Sequence, residues 1–250
     1  MKRTLATTIA ILALTACTSG KKGPPTITVS TLAGTWVGQY VELDAPPLGN
    51  GPAARIELVL TDDGSITSVR INGDPNGTGR VTPVTGQSGI FDYQFSLGGE
   101  GGFYVDASGN YAAAVDEEGT VAILHRGASG LPSYVFQDAF GTWSGESIYV
   151  SRNLDFDSRA SSQLTVGTDG NFSGTEDGQP FSSLDPLGFY SNYLGDPSLA
   201  FWWARYSSLD VPIGIGRLLM SSDKQFMAGF LGENGGTFPS DFSFPVWHKQ

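Results

Sequence analysis

The sequence predicts an all-β protein: two tandem homologous antiparallel β-barrel-like repeats behind a signal peptide and a flexible tether. Three observations predict it. Of 250 residues, 34 are Gly and 14 Pro, while only 16% are charged and 12% are aromatic, the composition of short strands joined by many turns. Apolar and polar residues alternate, as in Phe91-Asp92-Tyr93-Gln94-Phe95-Ser96-Leu97, and beyond the N-terminus no window has a helical period. Signature segments recur once, in order, at an offset that grows from 107 to 123 positions.

The first element is an address. Met1-Lys2-Arg3 is a basic start, and Leu5 to Leu14 is an apolar run of signal-peptide length, too short to span a bilayer as a mature helix. The run ends in Leu14-Thr15-Ala16-Cys17, which resembles the lipobox of bacterial lipoproteins. That resemblance implies removal of residues 1–16, acylation of Cys17, and attachment to a membrane through the acyl chains. Thr18 and Ser19 follow rather than an inner-membrane-retaining Asp, which points to the outer membrane, on its periplasmic face or at the cell surface. Cys17 is also the chain's single cysteine, so an internal disulfide and a Cys-based zinc site are excluded. Residues 17–31 are small, polar and proline-containing and read as a tether stiffened at Pro24-Pro25.

The repeats span 32–130 and 139–250. Leu32-Ala33-Gly34-Thr35-Trp36-Val37-Gly38 returns as Ala139-Phe140-Gly141-Thr142-Trp143-Ser144-Gly145. The turn Thr61-Asp62-Asp63-Gly64 returns as Gly167-Thr168-Asp169-Gly170, Asn110-Tyr111 as Gln225-Phe226, and His125-Arg126 as His248-Lys249. Each copy reads as six to eight antiparallel strands, enough to close a small barrel. The growing offset places insertions in the second copy, chiefly an aromatic-rich segment around 180–212. Gly-x-Trp on the first strand of each copy resembles lipocalin-type barrels, where the Trp plugs one end. Ala228-Gly229-Phe230-Leu231-Gly232-Glu233-Asn234-Gly235-Gly236-Thr237-Phe238 resembles the barrel motif of transferrin-binding-protein-type surface lipoproteins, which implies a lipidated β-barrel and not their ligand.

Charge narrows the partners. The formal net charge is −11, and −13 once residues 1–16 leave with Lys2 and Arg3, which argues against nucleic acid. No Gly-x-Ser-x-Gly elbow is present, and Asp116-Glu117-Glu118 and Glu176-Asp177 lie in turn-like sequence, so no catalytic residues are assigned. Asn72 to Gly77 and Asp169 to Gly174 mimic half a calcium loop but have Pro83 and Pro180 where the twelfth-position acid belongs; no metal or cofactor is expected. His125 and His248 read as equivalent residues at a barrel rim. In Phe201-Trp202-Trp203-Ala204-Arg205-Tyr206, Trp203 and Arg205 share one face and Trp202 and Tyr206 the other, so one pair is the candidate partner-binding patch. The expectation is therefore a non-enzymatic binding or assembly module for a protein or glycan partner. The alternatives are a lipocalin-like carrier of a small apolar ligand and, third, an enzyme acting on cell-wall glycan. The module and the carrier differ in whether bulky side chains fill the barrel interior, and the Phe and Trp content favours filling.

Overall fold

A computed structural model describes residues 26–41, 54–116, 120–128, 135–151, 156–183, 188–189, 199–205, 213–233 and 241–250. Of Phe136, and within 151–157, 183–217 and 230–242, only the backbone is described. Cys17, the signal-peptide segment and Tyr206 lie outside these residues.

The first half is a meander of β1 (Gly34–Val41), β2 (Ala54–Leu60), β3 (Ser65–Ile71), β4 (Asp74–Pro75), β5 (Gly79–Pro83), β6 (Ile90–Phe95), β7 (Glu100–Val105), β8 (Tyr111–Asp116) and β9 (Val121–Arg126). All pairings are antiparallel, and β9 returns to β1 with Trp36 opposite Arg126 and Val41 opposite Val121, closing an eight-stranded barrel that β4 merely flanks. Closure removes the exposed edges of an open sheet. It also brings β1 and β9 close: a Cβ added at Gly38 would stand 1.7 Å from the carbonyl oxygen of Ile123, so only glycine fits there. β4 is the far arm of a two-residue Asn72-Gly73 hairpin, both residues at positive φ (52° and 92°), so turn chemistry explains that calcium-like stretch.

The second half contains β10 (Gly141–Ser151), β11 (Phe156–Val166), β12 (Phe172–Glu176), β13 (Gln179–Ser183), β14 (Gly188–Phe189), β15 (Leu199–Arg205), β16 (Ile213–Met220), β17 (Phe226–Glu233) and β18 (Asp241–Lys249). β18 pairs with β10, and Phe181–Ser183 of β13 pairs with Trp203–Arg205 of β15, so this ladder also returns on itself. The run Phe201-Trp202-Trp203, which the growing offset places in an insertion, is thus a strand paired between β13 and β16. The side chains of Trp202, Trp203 and Arg205 lie outside the described residues.

Short 3-10 turns, Val29–Leu32 and Phe136–Ala139, precede β1 and β10. Each aims a carbonyl at the first tryptophan of its barrel: Trp36 Nε1 donates to Leu32 O and Trp143 Nε1 to Ala139 O, both at 2.8 Å. A cation from the last strand covers each ring, Arg126 at 5.4 Å over Trp36 and Lys249 at 5.2 Å over Trp143. Arg126 also donates to Thr31 O and Ala33 O, and Lys249 to Asp138 O. Ile27 and Val29, assigned to the tether by composition, are half-buried against the first core, so the folded part begins before residue 32.

Three apolar layers result. Alternation sends Trp36, Ile56, Leu58, Val69, Phe91, Phe103, Ala114 and Leu124 into the first barrel and Trp143, Leu164, Phe172, Met227 and Trp247 into the second. The third layer lies between the barrels. Outward residues Val41, Ile90, Ala113, Val115, Val121 and Ile123 pack on outward residues Ile148, Val150, Leu219, Phe226, Ala228, Phe244 and Val246. That is why Ala112 to Val115 and Val121 to Leu124 are continuously buried runs rather than alternating ones.

Candidate functional site: an open lumen and a histidine seam

The first barrel is not filled. Above Trp36, which meets Phe103 edge-on with ring centroids 6.3 Å apart, its interior holds a cavity of about 440 Å³. The deep wall is Ile56, Leu58, Ile66, Val69, Val81, Phe103, Ala114, Ala122 and Leu124. The other end is marked by strand ends: Tyr40 on β1, Ile71 on β3, Leu97 to Gly99 after β6, Asp116 on β8 and Thr120 before β9. Leu97 is 74% exposed there, an apolar side chain at a mouth. The expectation that bulky residues fill the interior holds at the Trp36 end, where Trp36, Leu58 and Phe103 are at most 3% exposed, and fails towards the end that opens at Leu97.

The register sets one pair of inward positions apart in the two halves. Gly38 pairs with Ile56 and Leu124, whereas Gly145 pairs with Ser162 and Trp247, so the second barrel places tryptophan where the first has leucine. Trp247 Nε1 donates to Ser162 Oγ at 3.0 Å, and Ser243 Oγ donates to the buried carboxylate of Glu176. The corresponding positions of the first barrel hold Ile56 and Ile71 on the ladder and Thr120 just before β9.

Each histidine is the next-to-last residue of its strand, β9 or β18, and faces across to the other barrel, because the barrels meet wall to wall. Tyr111 stacks on His125 (4.9 Å between centroids) and on Phe226 (5.1 Å), with His248 edge-on at 5.6 Å. Each histidine faces an acid of the other barrel: His125 Nε2 is 3.9 Å from Asp223 and His248 Nε2 is 3.6 Å from Asp106. His125 Nδ1 also lies 3.2 Å from Ser222 Oγ. A Ser–His–Asp relay needs a hydrogen bond from base to acid; 3.9 Å is too long for one, and Asp223 already accepts from the Tyr111 hydroxyl. Asp106 is buried and accepts backbone N–H groups from Ser108, Asn110 and Tyr111. Among the described residues no three His, Cys, Asp or Glu side chains converge as metal ligands.

Protonation states at the seam follow from these contacts. Burial pushes Asp223 upward, but hydrogen bonds from Ser221, Tyr111 and the Gln225 N–H, with His125 nearby, hold its carboxyl below the usual range. Asp138 is lowered likewise, its burial outweighed by Lys224 at 2.7 Å and the Val135 N–H. Burial, then the Asp223 bond, raises the Tyr111 phenol; burial, then Glu146, raises that of Tyr104. Lowered carboxyls stabilise the fold above their unfolded value and lose that contribution as pH falls below about 4. Raised phenols stabilise it fully below about pH 10 and lose that contribution as pH climbs further. Thermal unfolding across pH is therefore expected to give a plateau with two falling limbs, and Asp223→Asn is expected to flatten the acid limb.

No protein-family model matches the sequence, and no relative is found among curated proteins. Two solved structures are similar in outline. A protein of unknown function from the DUF3598 family of Nostoc punctiforme is 14% identical, with 88% of this chain and 97% of that chain covered and a TM-score of 0.41. A candidate outer membrane protein from Bacteroides fragilis is 12% identical, with 89% and 99% covered and a TM-score of 0.27. Among the described residues no helix is long and apolar enough to cross a membrane.

Sequence reasoning names Trp202, Trp203, Arg205 and Tyr206 as a patch, whose side chains lie outside the described residues; the described geometry adds the lumen as a second candidate. Its signal in the sequence is small: Ala114 and Ala122 on inward positions, with Leu124 opposite Gly38 where Trp247 stands opposite Gly145.

Proposed function

We propose that this chain is a lipid-anchored, non-enzymatic binding protein made of a duplicated barrel, whose first barrel carries a small apolar ligand. The observation that carries the reading is the cavity of about 440 Å³, lined by inward residues of the first barrel and opening past Leu97. Ligand sites are typically concave, mostly apolar and about 300–1,000 Å³ in volume.

Duplication is supported by matched bonds at matched positions: the two tryptophan plugs, Arg126 N to Asn110 O beside Lys249 N to Gln225 O, and Gly127 N to Thr35 O beside Gln250 N to Thr142 O. Even Gly109 and Lys224 share a positive φ, 71° and 63°, in the turns before β8 and β17. The anchor rests on Leu14-Thr15-Ala16-Cys17, with the outer membrane as its site. Cys17→Ser is expected to shift the chain wholly to the soluble or unprocessed fraction; unchanged membrane fractionation overturns that part.

The lumen is tested with a neutral apolar fluorophore, N-phenyl-1-naphthylamine, titrated into the purified chain. Saturable binding is expected. Ala122→Phe and Ala114→Phe, each projecting into the cavity, are expected to weaken it roughly 100-fold while circular dichroism keeps its strand signature. Full binding by both variants overturns the reading.

A further inference from the structure

We infer that the lumen selects by charge, taking an apolar amine in preference to an apolar carboxylate, with Asp116 as the selecting residue. The inference rests on the lumen being a ligand site. Among its described lining residues there is no Lys, Arg or His; the acid is Asp116. Alternation along β8 puts Ala112, Ala114 and Asp116 on the inward face, the two alanines buried and the acid half-buried at the strand's end. The Thr120 N–H donates to Asp116 Oδ1 at 2.7 Å, which fixes the carboxylate beside the mouth.

A ligand with one polar end must bury its apolar body against Ile56, Tyr93, Ala114 and Ala122, since no charge is found among the described residues at that depth. Its polar end then stops level with Asp116. A carboxylate there meets a like charge in a partly desolvated site; an ammonium meets an opposite one, and an alcohol meets neither. The formal net charge of −11 acts in the same direction at longer range.

The test is displacement of N-phenyl-1-naphthylamine from the purified chain at neutral pH by an alkylamine, an alcohol and a carboxylate of one chain length, all below their aggregation limits. The amine is expected to displace at roughly one-tenth the concentration of the carboxylate or less, with the alcohol between them. Asp116→Asn, which keeps the shape and an acceptor for Thr120, is expected to bring amine and carboxylate together. Asp116→Lys is expected to reverse their order. Fluorophore binding with no amine preference overturns the charge assignment and leaves the lumen standing, as does a preference that survives in both variants. No binding of fluorophore or any of the three overturns the lumen itself.

Discussion

Trp36→Ala and Trp143→Ala are each expected to lower the free energy of unfolding by about 3–5 kcal/mol, the usual loss for truncating a large core aromatic. Both rings are 0% exposed. Each is fixed by a hydrogen bond to the 3-10 turn before its own strand and by a cation from the last strand of its barrel. Truncation leaves Leu32 O or Ala139 O without its indole donor, and leaves Arg126 or Lys249 poised over a void. Because β1 and β10 are the strands on which each ladder closes, the loss falls at the join. Trp36→Phe keeps most of the ring volume and removes the indole bond, so a smaller loss of about 1–2 kcal/mol is expected. Urea denaturation of the four chains, with the corresponding Trp143→Phe, measures this. A loss below about 1 kcal/mol for either alanine variant means the plug is not structural.

The strands and turns were legible because both obey short-range rules. Ile56, Leu58 and Leu60 alternate with half-exposed Arg55, Glu57 and Val59 as the pattern requires, and Asp63-Gly64 and Asp169-Gly170 make the turns their side chains favour. What the sequence did not display was the other side of each wall. His125 shares a face with Val121 and Ile123, and alternation cannot tell whether that face meets water or a second barrel. Nor can it tell that Phe201-Trp202-Trp203 continues a ladder, because alternation within a strand does not name the strands that pair with it. The lumen escaped for a third reason: it depends on volumes missing from several strands at once, among them Ala114, Ala122 and Leu124.

The seam decides whether two barrels behave as one protein, and Ile123→Asp is the substitution expected to part them. Ile123 is 1% exposed, outward on β9, among Val121, Ile148, Phe226 and Val246 from both halves. An uncompensated buried carboxylate costs several kcal/mol. The groups already at the seam offer it little relief, since Asp106 and Asp223 each face a histidine and Glu146 is engaged by Tyr104 and Arg159. Separation of the walls hydrates the new charge, while the two interior cores, on the opposite faces of the same strands, stay intact. Thermal unfolding is therefore expected to change from one cooperative transition to two, with a larger radius of gyration by small-angle scattering before the first. Acidification below about pH 4 is expected to narrow the gap between the transitions by neutralising the introduced acid. Ile123→Ala, which leaves a void but no charge, is expected to keep a single transition at about 2–5 kcal/mol lower stability. One unshifted transition in Ile123→Asp would instead mean that the walls tolerate a charge between them, and the seam would then be a contact between independent barrels rather than a shared core.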